Sequence, residues 1–271
     1  MGAISGIGRH TIRGIEGFGD FCRFCGRAMR WTAESFGRWR NVRLLFPQMY
    51  QVGTQSVPVI MITGAFVGMV LAVQTVAQFK ALNMEARMGT LVNLSVLREL
   101  GPVLAGVMMA GRIGGRMTAE LGTMRVTEQI DALRAMGTDP VRVLVVPRFL
   151  ASVLLAPVLV VYASFLGILG GFFISHYVYG VNATDFWMHA SDTVEYWDIF
   201  YGPIKTVFFG AVFSLVCCYK GFNCAPGAAG VGRATTESFV ASCMAILGLN
   251  FFLGMLLNAF YIYMFGVKVV L

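Results

Sequence analysis

The stretch that decides the fold is Arg98–Pro147, which reads RELGPVLAGVMMAGRIGGRMTAELGTMRVTEQIDALRAMGTDPVRVLVVP. It lies between two segments typical of membrane spans and carries the largest block of charge in an otherwise apolar chain. A pair of charges in a hydrocarbon setting is costly, so the adjacent Arg98 and Glu99 indicate a functional site. A short charged helix between two spans indicates an exposed elbow that something outside the membrane can hold.

The composition of the whole chain is that of an integral membrane protein. Of its 271 residues, 57% are hydrophobic and 13% are charged, with a mean hydropathy of +0.70. A soluble domain is nearer one quarter charged. The net charge of +7 does not indicate nucleic-acid binding, because the basic residues are grouped at the ends of apolar segments, where they set orientation and contact headgroups. We therefore predict an all-α polytopic membrane protein.

Five apolar segments are long enough to cross a bilayer, and they make one five-span domain over residues 47–271. The predicted spans are about 57–79, 91–111, 149–177, 204–219 and 239–265. Gly64 and Gly68 in the first span form a small-x-x-x-small pair that lets another helix approach. In the second span Pro102 cannot donate a helical hydrogen bond, so a kink or a broken helix is expected there.

Residues 1–46 form a predicted amphipathic segment at the membrane interface. Apolar residues recur every three or four positions, most arginines lie elsewhere, and Trp31 and Trp39 are candidate interfacial anchors. The alternative is a cytoplasmic helix packed on its own protein. Cys22 and Cys25 are spaced as C-x-x-C, but no second pair has zinc-ribbon spacing, which favours two small residues on one helix face.

The distribution of basic residues predicts the orientation. The N-terminal segment carries eight arginines and the 112–148 connection carries six, whereas the 176–201 connection has no Lys or Arg and four acidic residues. The positive-inside rule then puts the N-terminus, the 112–148 elbow and the 220–237 loop in the cytoplasm. The acidic 176–201 loop and the C-terminus lie outside.

The elbow is expected to hold a short helix over about 127–137. Thr127 is the candidate N-cap, Glu128 and Asp131 lie in the first turn, Arg134 is near the end and Gly137 is a C′ candidate. From the pattern alone, contact with a partner and a surface connector without a partner are equally good interpretations.

The outer ends of the first two spans carry a second group of candidates. Gln74 and Gln78 are four residues apart and share one helix face, so they should face protein or a cavity. With Leu71 they lie at a depth similar to that of Arg98 and Glu99. That charged pair has three interpretations: it neutralises itself beside a polar ligand, it is a structural salt bridge, or it lies near the outer headgroups. An outward-facing cavity lined this way would suit an amphiphile.

Signatures of catalysis are missing from the sequence. No Gly-Lys dipeptide, H-E-x-x-H or G-x-S-x-G occurs, so we predict no catalytic residue, metal or cofactor, and any phosphate chemistry belongs to another chain. A stand-alone channel or secondary carrier would need midplane ionisable residues or paired broken helices. A membrane scaffold without transport is a further alternative.

The motifs together resemble one known family, the MlaE-type permeases, which are membrane subunits of MCE-associated ABC lipid transporters. The similarity covers roughly residues 45–265. The matching residues are Gly68-Met69-Val70-Leu71 with Gln74, Leu97-Arg98-Glu99-Leu100-Gly101-Pro102, Ala110-Gly111-Arg112, Thr118-Ala119-Glu120, Met124-Arg125, Thr127-Glu128-Gln129, Asp139-Pro140, Pro147-Arg148, Gly232-Arg233-Ala234-Thr235-Thr236 and Leu247-Gly248.

The resemblance implies a homodimer in the bacterial inner membrane that moves phospholipid or a related lipid. It implies a separate cytoplasmic ABC ATPase, a periplasmic MCE-domain lipid-binding protein and, in some systems, a STAS-domain protein. The implied lipid-binding residues are Leu71, Gln74, Arg98, Glu99 and Leu100, with Gln78 and Leu82 as expected neighbours. The implied ATPase-coupling residues of the elbow are Thr127, Glu128, Gln129, Asp131 and Arg134.

Overall fold

The computed structural model describes residues 2–35, 42–81 and 88–265, which are helical almost throughout and contain no β-strand. Five stretches of the described chain are helical, long and apolar enough to cross a membrane. They are Leu45–Lys80, Met88–Val126, Val141–Val178, Tyr196–Phe222 and Ala228–Met264. The prediction of an all-α polytopic membrane protein is therefore confirmed.

The helices follow the spans in chain order. The helix α1 (Gly2–Ser35) comes first, and α2 (Val42–Val52) with α3 (Val57–Ala81) forms the first span. The second span contains α4 (Met88–Ser95), α5 (Gly101–Met109) and α6 (Gly115–Val126), and α7 (Gln129–Ala135) follows it. The remaining helices are α8 (Val146–Phe173), α9 (Ala183–Thr193), α10 (Tyr196–Phe222) and α11 (Ala228–Phe265).

The second span stays helical through Pro102, so the alternative of a broken helix is wrong, and the expected kink stays a prediction. A π-helical turn at Val96–Leu100 leads directly into α5, in which Pro102 occupies the first turn. The wider turn moves the hydrogen bond of Gly101 to the carbonyl of Val96, five residues earlier. Further π-helical turns lie at Ala110–Gly114, Val141–Val145 and Ile174–Val178.

The fourth span begins earlier than predicted, at Tyr196 instead of near residue 204. The cause is a capping box in which the backbone N–H of Glu195 donates to the Asp198 carboxylate at 3.0 Å. This box satisfies donors at the helix start, so the acidic residues that resemble loop sequence belong to the first turn of α10. The connection before it is also partly helical, since it contains α9.

The helix α10 is the central element of the bundle. It packs against α6, α8 and α11. Its buried Phe209 and Phe213 lie in one apolar cluster with Leu159 of α8, Met109 of α5 and Ile246 of α11. Any displacement of α10 must therefore be shared with three of the five spans.

The small residues Gly64 and Gly68 of α3 meet small residues of α8. A Cβ atom built on Gly64 would overlap the backbone of Ala163, and one built on Gly68 would overlap the carbonyl oxygen of Gly167. The helices can approach this closely only because Cβ atoms are missing at the crossing. The expectation that another helix approaches Gly64 and Gly68 is confirmed.

We predict that Gly68→Ala destabilises the folded bundle by about 1–3 kcal/mol, because the added methyl must push α3 and α8 apart. Unfolding in mixed micelles followed by circular dichroism measures the change. Gly248→Ala in α11 is the matched control, since no atom lies within 4 Å of a Cβ built there. Equal effects of the two substitutions would contradict the packing argument.

Candidate functional site

The pair Arg98 and Glu99 does not neutralise itself. Arg98 donates from Nε to the Asp198 carboxylate of α10 at 2.6 Å, and its Nη2 contacts the same oxygen. The side chain of Asp198 is 0% exposed and that of Arg98 is 28% exposed. Asp198 also belongs to the capping box of α10. One carboxylate therefore caps the helix of the fourth span and binds Arg98 of the second span.

Glu99 pairs with a different residue of α10. Its Oε1 accepts from Lys205 Nζ at 2.7 Å, and its Oε2 accepts from Asn250 Nδ2 of α11 at 3.0 Å. The Lys205 ammonium also donates to Asn250 Oδ1 at 3.1 Å and to the carbonyl of Arg98 at 3.2 Å. Pro102 has no N–H to donate to that carbonyl four residues earlier, so the proline leaves room for the lysine contact.

An aromatic ring lies between the two ion pairs. The Arg98 guanidinium carbon and Lys205 Nζ lie 5.6 and 4.5 Å from the centre of the Tyr201 ring, close enough for cation–π attraction. The Tyr201 hydroxyl donates to the carbonyl of Gly254 in α11 at 2.9 Å. We call Arg98, Glu99, Asp198, Tyr201, Lys205 and Asn250 the outer polar cluster, after the side of the membrane on which the predicted orientation puts it. It joins the second, fourth and fifth spans.

Sequence reasoning missed Lys205 and placed Asp198 in a loop. A signal for Lys205 was available, because it is the only charged residue between positions 199 and 219. A lone lysine inside an apolar segment requires a partner, and Glu99 was the obvious acidic candidate in another span. The pairing itself could not be read from the sequence, since it depends on which spans are neighbours.

The other predicted lipid-binding residues lie apart from this cluster. Leu71 of α3 packs against an apolar group that includes Val92 of α4. In contrast, Gln74, Gln78 and Leu100 are exposed. Leu82 lies outside the described residues. Across the described chain, no hydrogen bond or ion pair joins Gln74 or Gln78 to the outer polar cluster.

The elbow presents all five predicted coupling residues on the surface of the protomer. The exposed residues are Thr127, Glu128, Gln129, Asp131 and Arg134. Asp131 accepts from Arg125 at 2.6 Å and from Arg134 at 2.9 Å. Gly137 has a φ of 72° and closes the helix as expected, with the N–H groups of Gly137 and Thr138 donating to Arg134 and Leu133.

The assignment of Thr127 as N-cap of the elbow helix is wrong. Its hydroxyl donates to the carbonyl of Thr123 at 2.9 Å, within the end of α6. The cap position is held by Glu128, whose φ of 60° is left-handed and whose side chain makes no capping bond. Only two residues separate α6 from α7, so Thr127 serves as the C-cap of α6 and the chain must reverse at Glu128.

The inner side of the elbow is anchored in the protein. Ile130 is fully buried in an apolar cluster with Leu121 of α6, Phe222 of α10 and Ala28 of α1. This cluster, completed by Val141, Val145 and Cys218, is called the inner anchor. Through Ile130, α7 shares this cluster with residues of the second, third and fourth spans.

The helix α1 contributes directly to this anchoring. Trp31 donates from Nε1 to the Asp139 carboxylate at 2.7 Å, and the Arg142 guanidinium lies 4.9 Å from the centre of its ring. Ile15 and Phe18 on the same helix are exposed. One side of α1 therefore packs on the protein, and part of its apolar surface remains free.

The Cys25 thiol of α1 has a raised pKa in its surroundings. Burial, with a smaller effect from the neighbouring Cys22, raises the pKa of the Cys25 thiol to about 11. That thiol is protonated at neutral pH, whereas metal binding and nucleophilic attack both need the thiolate.

We predict that Glu99→Ala destabilises the protein by about 3 kcal/mol, because it leaves a buried ammonium without its counter-charge. The Lys205 side chain is 0% exposed. The double variant Glu99→Ala/Lys205→Met should recover most of the loss in the same unfolding assay. The control is Glu237→Ala, which removes the exposed partner of Lys220 and should cost less than about 1 kcal/mol. A double variant no more stable than Glu99→Ala would contradict the pairing.

Comparison with known proteins finds similarity to permeases. The family described as Permease MlaE matches residues 45–256. A probable ABC transporter permease protein of Rickettsia typhi is 38% identical over 251 residues, which cover 93% of this chain and 96% of that protein. The intermembrane phospholipid transport system permease protein MlaE of Haemophilus influenzae is 37% identical over 255 residues, which cover 92% of this chain and 95% of that protein.

A plant protein extends the similarity beyond bacteria. The chloroplastic TRIGALACTOSYLDIACYLGLYCEROL 1 of Arabidopsis thaliana is 37% identical over 215 residues, which cover 79% of this chain and 61% of the plant protein. The matched residues 45–256 contain the outer polar cluster, the elbow and the glycine crossing of α3 and α8. With this match and these relatives, the chain belongs to the MlaE permease family.

Proposed function

We propose that this chain is the non-catalytic permease subunit of an ABC transporter that moves phospholipid between the inner membrane and a periplasmic MCE-domain protein. The proposal rests on family membership and on the phospholipid transport named for the Haemophilus influenzae relative. A separate ABC ATPase hydrolyses ATP, two copies of the chain form the membrane unit, and a STAS-domain protein is a further candidate partner.

The observation that carries the proposal is the two-sided elbow. The polar side of α7 is exposed, while Ile130 on its other side is fully buried in the inner anchor. A helix with one face buried in the protein and the other exposed is suited to bind a partner whose movement must reach the spans. The exposed charges of Glu128, Asp131 and Arg134 would supply the contact with the ATPase.

The helix α10 provides a mechanical link between the proposed ATPase contact and the outer side. Its end at Phe222 belongs to the inner anchor, and its beginning carries Asp198 and Lys205 of the outer polar cluster. The 27 residues of α10 span about 40 Å. ATP binding in the partner would move α7, and α10 would carry that movement to the second and fifth spans.

The proposed lipid pocket lies on the outer part of α3 and the start of the second span. Gln74 and Gln78 are exposed on an apolar helix, and amides are costly when they face lipid. We propose that they face a cavity completed by the second copy, with Leu71 and Leu100 contacting acyl chains. Arg98 and Glu99 would hold the mouth of this pocket, where Glu99 is still 46% exposed to a headgroup.

The proposed orientation follows the positive-inside rule. The N-terminus and α7 lie in the cytoplasm with the ATPase. The helix α9 and the C-terminus lie on the periplasmic side, where an MCE-domain protein would receive or deliver lipid.

A secondary carrier is the second candidate, because the outer polar cluster places two ion pairs between spans. Ionisable groups at such positions are the feature that ion coupling would need. Dependence of transport on ATP separates the two candidates. Transport that continues without ATP hydrolysis and follows an ion gradient would favour the carrier.

We predict that Glu128→Lys removes the ATPase from the complex, because it reverses the charge at the exposed start of α7 without disturbing a buried contact. The measurement is the amount of ATPase, and of ATP hydrolysis, recovered with the affinity-tagged chain from native membranes. We expect at least a tenfold loss, which corresponds to about 1.4 kcal/mol of binding free energy.

The matched control is Asp20→Lys, which makes the same charge change at an exposed residue of α1. It should leave ATPase recovery unchanged. Loss of the ATPase in both variants, or in neither, would contradict the role proposed for α7.

We predict that Gln74→Trp and Gln78→Trp each reduce transfer of a fluorescent phospholipid in proteoliposomes at least fivefold, because the larger ring fills the proposed pocket. Ile62→Trp is the control, since Ile62 is exposed on the same helix towards its other end. If transfer falls equally in all three variants, α3 is sensitive to added bulk anywhere and the pocket assignment is wrong.

A further inference from the structure

A cavity that shares no candidate lipid-binding residue with the proposed transport pocket lies among α4, α8, α9 and α10. Its volume is about 370 Å³, within the range of small-molecule sites. Its walls include Leu97, Ser164, Ile168, Ala190 and Pro203. None of the candidate lipid-binding residues lines it, and α3 contributes no wall among the described residues.

One residue that lines this cavity carries a buried polar atom without a partner. Asn93 of α4 is 3% exposed, and its Oδ1 accepts no hydrogen bond from the described residues. A buried amide oxygen without a donor is costly, and native proteins seldom leave one without a reason. A ligand that brings a hydrogen-bond donor to Asn93 would remove this cost.

The lining also limits the charge of the ligand. The residues that line the cavity include no Asp, Glu, Lys, Arg or His. A charged headgroup would lose its hydration there without a counter-charge. The polar part of the ligand must therefore be neutral, and a hydroxyl group satisfies both requirements.

The mouth of the cavity indicates how the ligand enters. Val161 and Phe165 of α8, Trp187 of α9 and Ile199 of α10 line the cavity and are also exposed on the protomer surface. These apolar side chains lie on membrane-spanning or adjacent helices, so the opening faces the hydrocarbon of the bilayer. A lipid can enter sideways without crossing water.

We propose that this cavity is a binding site for a neutral membrane amphiphile, with an apolar tail between α8 and α9 and a hydroxyl that donates to Asn93 Oδ1. A transmembrane helix of a partner fits the observation less well, because its backbone N–H groups are already used within the helix. The site is independent of the transport pocket, since it requires only that the chain is in a membrane.

The test uses two photoactivatable probes in nanodiscs of phosphatidylethanolamine and phosphatidylglycerol that contain the full chain. One probe is a long-chain alcohol with a diazirine in its tail, and the other is its methyl ether, which cannot donate. Labelled peptides are quantified by mass spectrometry. We expect the alcohol to label peptides of α8 and α9 about tenfold more than the ether, the size expected for one buried hydrogen bond.

Two variants and a control make the result specific. Asn93→Leu should bring the ratio of alcohol to ether labelling close to one, and Ala190→Phe should reduce labelling by both probes because it fills the cavity. Asn258→Leu, an asparagine exposed on α11, should change neither. Equal labelling by both probes in the unmodified chain, or a ratio unchanged by Asn93→Leu, would overturn the proposal.

Crosslinking of a cavity-wall residue to another protein, and not to lipid, would also contradict the proposal that an amphiphile occupies the cavity. Phospholipid transfer measured on the same samples keeps the two proposals separate. If Asn93→Leu loses the preference for the alcohol probe but retains phospholipid transfer, the cavity is a site independent of transport. If the transport proposal fails, the labelling result is unaffected.

Discussion

The buried ammonium of Lys205 is the constraint on which the outer half of the molecule depends. Its side chain is 0% exposed, so it needs a carboxylate and further acceptors within the protein. Glu99, Asn250 and the carbonyl of Arg98 supply them from the second and fifth spans. The requirement to neutralise one charge thus restricts how the second, fourth and fifth spans can be rotated against each other.

The same helix connects that constraint to the inner side. The helix α10 starts at the Asp198 capping box and ends in the inner anchor beneath α7. Its middle is packed through Phe209 and Phe213 in a core too dense to absorb a movement locally. In the proposed mechanism this stiffness is useful, because ATP-dependent motion of the elbow would reach Arg98 and Glu99 instead of being lost within the bundle.

The features that sequence reasoning predicted correctly depend on local patterns. Apolar length reveals spans, Gly137 marks a left-handed C′ position, and Gly64 with Gly68 marks a close helix crossing. The errors arose where local signals compete. Thr127 has the side chain of an N-cap, but it is the C-cap of α6 because the reversal occurs one residue later, at Glu128. Asp198 resembles loop sequence, yet a capping box makes it helical.

The sequence by itself determined the fold class and the family, because hydrophobic periodicity, charge and family motifs are all properties of the chain read in order. Only the tertiary structure decided that Arg98 pairs with Asp198 and Glu99 with Lys205, and that Asn93 lines a cavity with an unpaired oxygen. These facts depend on contacts between residues far apart in the chain. Such contacts are set by the rotation and packing of whole helices, which a local pattern does not encode.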